Sequence, residues 1–139
     1  MRRLLFVAGA LAILGCGSDA TGPSATIDGT YDLVSVNGAA LPFILIQTAT
    51  ETDEVTGDVI TAFNGRFTQT TSTQDTVNGH VTTGFSPNSG TYTASGAVIT
   101  FKFDFSPGAV MATGTTSGDT FTVTTTTSTG PFVGVYVRR

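Results

Sequence analysis

Apolar and polar residues alternate in short runs along most of the chain after residue 28, and glycine, asparagine and proline separate the runs. The clearest run is Ala97 to Phe105, in which Ile99, Phe101, Phe103 and Phe105 share one face and polar residues share the other. A period of two predicts a half-buried β-strand. No window in this part of the chain repeats its apolar residues at the three-to-four residue spacing of a helix.

The same pattern predicts ten strand segments, and the 28 threonines favour this assignment because branching at Cβ suits a pleated strand. An acidic bend is predicted at Glu51 to Gly57, and Pro87-Asn88 is predicted to interrupt the pattern. The predicted strands are Gly29–Val36, Phe43–Thr50, Asp58–Phe63, Arg66–Val77, His80–Phe85, Gly90–Thr93, Ala97–Phe105, Ala109–Thr116, Thr120–Thr127 and Phe132–Val137.

Short connections join these segments, and three of them are Asn-Gly pairs, at Asn37-Gly38, Asn64-Gly65 and Asn78-Gly79. Asn-Gly is the usual pair in a tight hairpin turn. No ten-residue helix is available for a parallel crossover, so the strands should run antiparallel in sequence order. The sequence therefore predicts an all-β, up-and-down meander barrel of eight to ten strands, because closure removes exposed edges. An Ig-like β-sandwich is the alternative.

The N-terminus has a different pattern. Arg2 and Arg3 precede an apolar run, Leu4 to Leu14, which is too short to span a bilayer, and Gly15-Cys16 follow it. This segment resembles a bacterial lipoprotein signal with a lipobox. The resemblance implies cleavage after Gly15 and a diacylglyceryl group on the Cys16 thiol. The new amino terminus would also be acylated by a fatty acid such as palmitate.

An ordinary secretory signal and a retained anchor helix are the alternatives for this segment. In lipoproteins, an aspartate after the lipidated cysteine is an inner-membrane retention mark, and this chain has Gly17 there. We therefore expect a bacterial cell-envelope protein that its lipid anchors to the membrane, with the outer membrane as its residence.

Three regions follow from these patterns: a signal peptide at 1–15, a lipidated cysteine with a flexible tether at 16–28, and one β-domain at 29–139. Removing the signal leaves four basic residues against ten acidic ones, so the formal charge falls from −4 to −6. This balance argues against nucleic acid as a partner, since phosphate binding needs a basic surface. The sequence favours a monomer.

The opening of the domain, Gly29-Thr30-Tyr31-Asp32-Leu33 through Asn37-Gly38 with Leu41-Pro42 after it, resembles the first strand of small bacterial lipocalin-like domains and of META-type domains. Further segments that resemble these families are Asn64-Gly65-Arg66-Phe67, Ser89-Gly90-Thr91-Tyr92 and Gly118-Asp119-Thr120-Phe121. The resemblance implies a meander barrel with one open end and a core position for Tyr31 and Leu33. It implies no catalytic residue.

Few residues in the domain could carry chemistry. His80 is the only imidazole, and once Cys16 is lipidated no free thiol remains. The acidic cluster of Glu51, Asp53, Glu54 and Asp58 lacks the order of a calcium loop and is interpreted as a solvated hairpin loop. We expect no enzyme activity, no metal site and no cofactor.

A barrel of about eight strands is either filled by its own side chains or able to hold one small ligand. Phe101, Phe103, Phe121 and Val135 are predicted to face this interior, and they would contact a ligand if a pocket exists. Both a filled core and a pocket need such residues, and a filled core is the simpler expectation. The sequence thus predicts a non-enzymatic binding or interaction module, with a carrier of a small hydrophobic molecule as the alternative.

Overall fold

The computed structural model describes residues 26–105, 108–127 and 130–139. The predicted signal segment, Cys16 and most of the predicted tether lie outside these residues, so the predictions made for them remain predictions. Ile27, assigned above to the tether, is buried with only 1% of its surface exposed. The packed part of the chain therefore includes Ile27, two residues before the predicted start of the domain.

The described residues form ten antiparallel β-strands, and they include no helix. The strands are β1 Gly29–Val36, β2 Ala39–Ala40, β3 Phe43–Gln47, β4 Glu51–Phe63, β5 Arg66–Val77, β6 His80–Ser95, β7 Val98–Phe105, β8 Gly108–Ser117, β9 Thr120–Thr127 and β10 Gly130–Arg138.

Eight of these strands close into a barrel. From β4 to β10 each strand pairs with the next in the chain, and β1 completes the ring by pairing with both β10 and β4. The prediction of an all-β, up-and-down antiparallel barrel is confirmed, and the sandwich alternative is wrong. A sandwich would leave two separate sheets, whereas here hydrogen bonding runs around a continuous wall.

The two remaining strands lie beside the ring rather than in it. Residues 29–32 of β1 pair with 59–62 of β4, and further along β4 its neighbour becomes β3, which pairs with residues 52–55. The pairing of β1 with β4 ends at Asp32, and a register shift in the pairing of β1 with β10 follows between Leu33 and Ser35. β3 therefore takes the place of β1 beside β4, and its other edge has no neighbouring strand among the described residues.

The three Asn-Gly pairs form the tight turns predicted for them. Asn37, Asn64 and Asn78 each have a φ of 50°, and the glycine after each has a φ between 76° and 82°. Positive φ at both central residues is the requirement of a type I′ turn, which matches the twist of the strands that it joins. These turns therefore confirm the hairpin prediction at the level of the backbone.

Aromatic rings fill the centre of the barrel. Phe101 is fully buried and lies 5.2 Å from the ring of Phe67 and 5.8 Å from that of Phe121. Tyr136 stacks on Phe121 at 4.9 Å, and Tyr31 meets Phe121 edge-on at 4.7 Å. Rings in edge-to-face or offset contact pack densely, so this part of the interior is a solid core.

Because the strands alternate in direction, the barrel has two distinct ends. The end that we call the closed end carries the turns at residues 64–65, 96–97 and 118–119, together with Ile27 and the C-terminus. At the opposite end, which we call the open end, the wall is incomplete. Residues 80–89 of β6 and 108–112 of β8 pair with a strand on one side only.

Two predicted interruptions are wrong. The acidic bend at Glu51 to Gly57 is part of one continuous strand, β4, and β6 runs through Pro87 without a break. Pro87 is tolerated because this half of β6 pairs only with β5, and an edge strand can accept a residue that lacks an N–H donor. Both strands extend past the barrel wall at the open end.

The predicted face of β10 is also wrong. Val135 is half-buried and pairs with Thr122, whereas the buried positions of this strand are its neighbours Gly134 and Tyr136. Successive residues of a strand face opposite sides, so Val135 lies on the outer face. The interior line of β10 is Phe132, Gly134 and Tyr136.

Candidate functional site

The four predicted ligand-contacting residues lie in three different environments. Phe101 and Phe121 are 0% and 1% exposed, inside the aromatic core. Phe103 is partly buried and packs on the ring of Phe67 at 4.9 Å, at the side of the core that faces the open end. Val135 is on the outside of the wall. Of the four, only Phe103 borders a cavity.

This cavity, which we call the mouth cavity, has a volume of about 170 Å³ and lies at the open end. Most of its lining is apolar, because β7, β8, β9 and β10 turn their inward residues towards it above the core. The polar contributions come from Gln69 and Thr125. Its lining residues are Gln69, Phe103, Phe105, Val110, Ala112, Val123, Thr125 and Phe132.

A buried carboxyl group, Asp58, lies next to Gln69. Its Oδ2 atom accepts hydrogen bonds from Gln69 Nε2 at 2.6 Å, from Thr71 Oγ1 at 3.2 Å and from the Tyr136 hydroxyl at 3.2 Å. The Oδ1 atom is buried and has no hydrogen-bond partner among the described residues. Four polar side chains thus converge inside the barrel wall, and one oxygen among them remains unsatisfied.

The surroundings of Asp58 raise the pKa of its carboxyl group. Burial raises the pKa of Asp58 from 3.8 to about 6, although the hydrogen bonds that it accepts oppose this rise. Burial also raises the pKa of Tyr136, and the nearby carboxylate adds to that effect. Gln69 and Tyr136 donate to Oδ2 and Oδ1 is buried, so the carboxyl group is enclosed by neighbouring side chains in the observed conformation.

The interior position of Asp58 is missed when the residue is grouped with the acidic cluster. The alternation along β4 does indicate this position. Asp58, Ile60 and Ala62 are every second residue of the strand, so they lie on the same face, and Ile60 and Ala62 face the core. Glu51, Asp53 and Glu54 are half-buried along the first part of β4. The cluster is therefore divided between the barrel interior and the extended part of the strand, and the interpretation as a solvated loop is wrong.

A second concave region, which we call the β3 groove, has a volume of about 370 Å³. It lies between the free edge of β3 and the start of β10, and the ring of Phe43 meets that of Phe132 edge-on at 6.3 Å. Residues 43–46 are apolar on both faces of the strand. The groove is lined by Asn37, Phe43, Ile44, Leu45, Ile46, Asp53, Pro131 and Phe132.

Asn37 fixes the far wall of the β3 groove. Its Nδ2 donates to the carbonyl oxygen of Pro131 at 3.1 Å, and its Oδ1 accepts from the N–H of Val133 at 2.8 Å. The backbone N–H of Asn37 also donates to the carbonyl oxygen of Val133. One turn residue therefore holds the beginning of β10 at a defined distance from β3.

Polar contacts cover the closed end around Asp28 and the two C-terminal arginines. The Tyr92 hydroxyl and the N–H of Asn64 both donate to Asp28 Oδ1. Arg138 donates to the Tyr31 hydroxyl at 2.8 Å. Arg139 forms a bidentate ion pair with Asp32, in which Nε donates to Oδ2 and Nη2 donates to Oδ1, both at 2.7 Å. These contacts join the first strand to the end of the chain.

Other candidate chemistry finds no support in the described ranges. His80 is exposed at the tip of the β5–β6 hairpin, and no group of three or more histidine, cysteine or acidic residues within those ranges could hold a metal ion. No helix in the part of the chain that the structure describes has the length and apolar character to cross a bilayer. Comparison of the chain with protein-family models and with characterised proteins gives no match.

Proposed function

We propose that this protein is a non-enzymatic envelope lipoprotein, anchored through Cys16, whose barrel acts as an interaction module. The observation that carries the interaction role is the distribution of apolar surface. Ile44, Leu45 and Ile46 are 37–44% exposed along β3, and Phe85 is 72% exposed on β6, all towards the open end. Ile44, Leu45 and Ile46 are consecutive, and contiguous exposed apolar surface of this kind is typical of a binding region.

The place where the first described residues, 26–28, join the barrel supports the anchoring geometry. The described chain enters the barrel at the closed end, where Ile27 is buried. Residues 17–26 can span at most about 33–36 Å when fully extended. A lipid on Cys16 would therefore hold the closed end nearer to the membrane and direct the open end, with its apolar side chains, away from it.

The filled interior supports a non-enzymatic role. Aromatic side chains occupy the centre of the barrel, and the buried carboxyl group of Asp58 is enclosed by its own hydrogen-bond donors. An active site needs reactive groups that a substrate can contact. In the described residues the polar groups inside the wall are shielded instead.

A carrier role is the second candidate, and the mouth cavity is the observation that favours it. Pockets for drug-sized ligands measure roughly 300–1,000 Å³, whereas a dry apolar cavity of about 150 Å³ accommodates benzene. At about 170 Å³, the mouth cavity fits one small ring at most. A fatty acid would require displacement of core side chains.

Expression of the full chain with Cys16→Ser tests the anchor. We expect the wild-type protein in the membrane fraction and the variant in the soluble fraction, because two or three acyl chains hold a protein firmly and none remains in the variant. Ser18→Ala is the matched control and should stay with the membrane. Retention of Cys16→Ser in membranes would contradict the anchoring proposal.

Titration with benzene, followed by calorimetry, separates the two candidate roles, because the mouth cavity has room for one small ring. The interaction module predicts no saturable uptake by the wild-type chain. Saturable uptake that Phe103→Trp abolishes would replace the interaction role with that of a carrier, because the larger side chain would fill the mouth cavity. Val98→Trp, at an exposed position near the closed end, is the control.

A further inference from the structure

The free edge of β3 is the strongest unassigned feature of the molecule. β3 pairs with β4 on one side, and it is the terminal strand of the sheet among the described residues. A free strand edge presents unpaired backbone donors and acceptors, which can accept a further strand. The β3 groove lies along this edge and provides about 370 Å³ beside it.

The side chains around this edge define the chemistry of an occupant. Ile44, Leu45 and Ile46 supply apolar surface, and Asp53 contributes a carboxylate to the lining of the groove. Asp53 and its neighbour Glu54 form no ion pair with any described residue, since the two ion pairs found use Asp119 and Asp32. The edge therefore offers apolar contacts together with uncompensated negative charge.

The basic residues of the barrel cannot supply the missing charge. Arg138 and Arg139 lie at the closed end, where they contact β1 and Asp119, and Arg66 begins β5 at that same end. Lys102 pairs across the wall with Thr91 and Met111, away from β3. A complementary positive charge must therefore come from outside the described barrel.

Two occupants from within the protein fit this chemistry poorly. The N-terminal tether is polar, with the sequence GSDATGPSAT at 17–26, and it joins the barrel at the opposite end. A second copy of the chain would bring another acidic and apolar edge, and each copy carries a formal charge of −6 after removal of residues 1–15. Neither provides the basic side chains that Asp53 and Glu54 would attract.

We propose that β3 binds an extended segment of another protein in which apolar and basic residues alternate, and that this segment pairs as an added strand along the β3 groove. This inference rests on the proposed interaction role and names its partner. Backbone hydrogen bonds would supply affinity, whereas the apolar side chains of β3 and the carboxylates of Asp53 and Glu54 would select the sequence.

The test uses the full chain purified in detergent and a fluorescein-labelled ten-residue peptide of alternating valine and lysine. We expect saturable binding by fluorescence anisotropy. A peptide with glutamate in place of lysine should bind at least about ten-fold more weakly. A peptide with proline at alternate valines should also lose about ten-fold, because proline removes the backbone donors.

Variants of the chain locate the site. Ile46→Lys should weaken binding of the lysine peptide about ten-fold, and Asp53→Asn should reduce the preference for lysine over glutamate several-fold. Val98→Lys introduces the same charge at an exposed valine on β7 and should leave binding of the lysine peptide within two-fold of wild type. If Ile46→Lys does not fold, the Asp53→Asn variant and the peptide series still decide the question.

Equal binding of the lysine and glutamate peptides, or binding that Asp53→Asn and Ile46→Lys leave unchanged, would overturn the proposal. Dimers of the wild-type chain that disappear in Ile46→Lys would assign the edge to a second copy and would also overturn it. The peptide test and the membrane fractionation of Cys16→Ser are independent measurements. If the peptide does not bind but Cys16→Ser becomes soluble, the strand-addition proposal fails and the anchoring proposal stands.

Discussion

The closed and open ends of the barrel use the same kinds of residue for different purposes. At the closed end, Tyr31 and Tyr92 are buried with their hydroxyl groups hydrogen-bonded, and Phe63 beside the turn at residues 64–65 is the exposed exception. At the open end, Phe85 is 72% exposed and the edge of β3 has no neighbour among the described strands. The difference indicates that stability is concentrated near the closed end, whereas apolar surface available for contact is concentrated at the open end.

Truncating one phenylalanine in each half should give the largest contrast. Phe101→Ala removes a fully buried ring and leaves a cavity, so the free energy of unfolding should fall by about 3–5 kcal/mol. Phe85→Ala removes an exposed ring and should change it by less than about 0.5 kcal/mol. Urea unfolding of both variants measures the difference. Similar losses in the two variants would contradict the division between the ends.

The stability of the protein should depend on the protonation of Asp58, which lies between the two ends. Its folded pKa of about 6 exceeds the ordinary value of 3.8, so the folded state binds a proton more readily than the unfolded state. The stabilisation is fully present below about pH 3.8 and is lost as the pH rises through 6. Because one pKa unit corresponds to about 1.4 kcal/mol, the loss is at most about 3 kcal/mol.

Asp58→Asn isolates this contribution, since the amide cannot ionise. The difference in unfolding free energy between wild type and variant should change between pH 4 and pH 8, with the variant relatively more stable at pH 8. Urea titrations at pH 4, 6 and 8 measure it. A constant difference across this range would show that Asp58 has an ordinary pKa in the folded protein.

Replacing each of two glycines with alanine should again affect stability differently in the two parts of the barrel. A Cβ at Gly90 would collide with the backbone carbonyl of Lys102 and lie 2.8 Å from the ring of Phe67, so Gly90→Ala should cost about 1–3 kcal/mol. A Cβ at Gly108, at the start of β8 near the open end, has nothing within 4 Å. Gly108→Ala should therefore leave the thermal midpoint unchanged or raise it slightly. A larger loss in Gly108→Ala than in Gly90→Ala would invalidate the comparison.

The smallest expected effect concerns the turn that positions the β3 groove. Asn37 and Asn78 share a φ of 50°, but only Asn37 has its side chain hydrogen-bonded to β10. Asn37→Ala should therefore destabilise the protein by about 1 kcal/mol more than Asn78→Ala does. It should also weaken binding of the lysine peptide, since the far wall of the groove loosens. Equal destabilisation by the two variants would show that the side-chain hydrogen bonds from Asn37 to β10 do not contribute to the stability of the protein.

Much of the fold follows from local patterns in the sequence. The bounds of β1, β5 and β9 match the predicted segments, and the three Asn-Gly turns have the predicted backbone. Alternation along β7 correctly placed Phe101 inward. These features depend on neighbouring residues, which explains why the sequence alone predicts them.

The missed features depend on distant partners. Val135 belongs to a strand in which valines and aromatic residues alternate, so either face could be buried, and only pairing with β9 decides between them. Asp58 lies inside because Gln69, Thr71 and Tyr136 supply donors from two other strands. The replacement of β1 by β3 beside β4 has no local signal, and without it neither the β3 groove nor its free edge is predictable.

The pairing of β1 with β10 also has a kinetic consequence. Tyr31 lies opposite Arg138, so the first strand and the last must meet across nearly the whole length of the chain. Contacts of such high sequence separation slow folding, because a large loop must be ordered before they form. During synthesis, one edge of β1 therefore stays without its partner until β10 has left the ribosome. The contacts between Arg139 and Asp32 then link the two strands that close the ring.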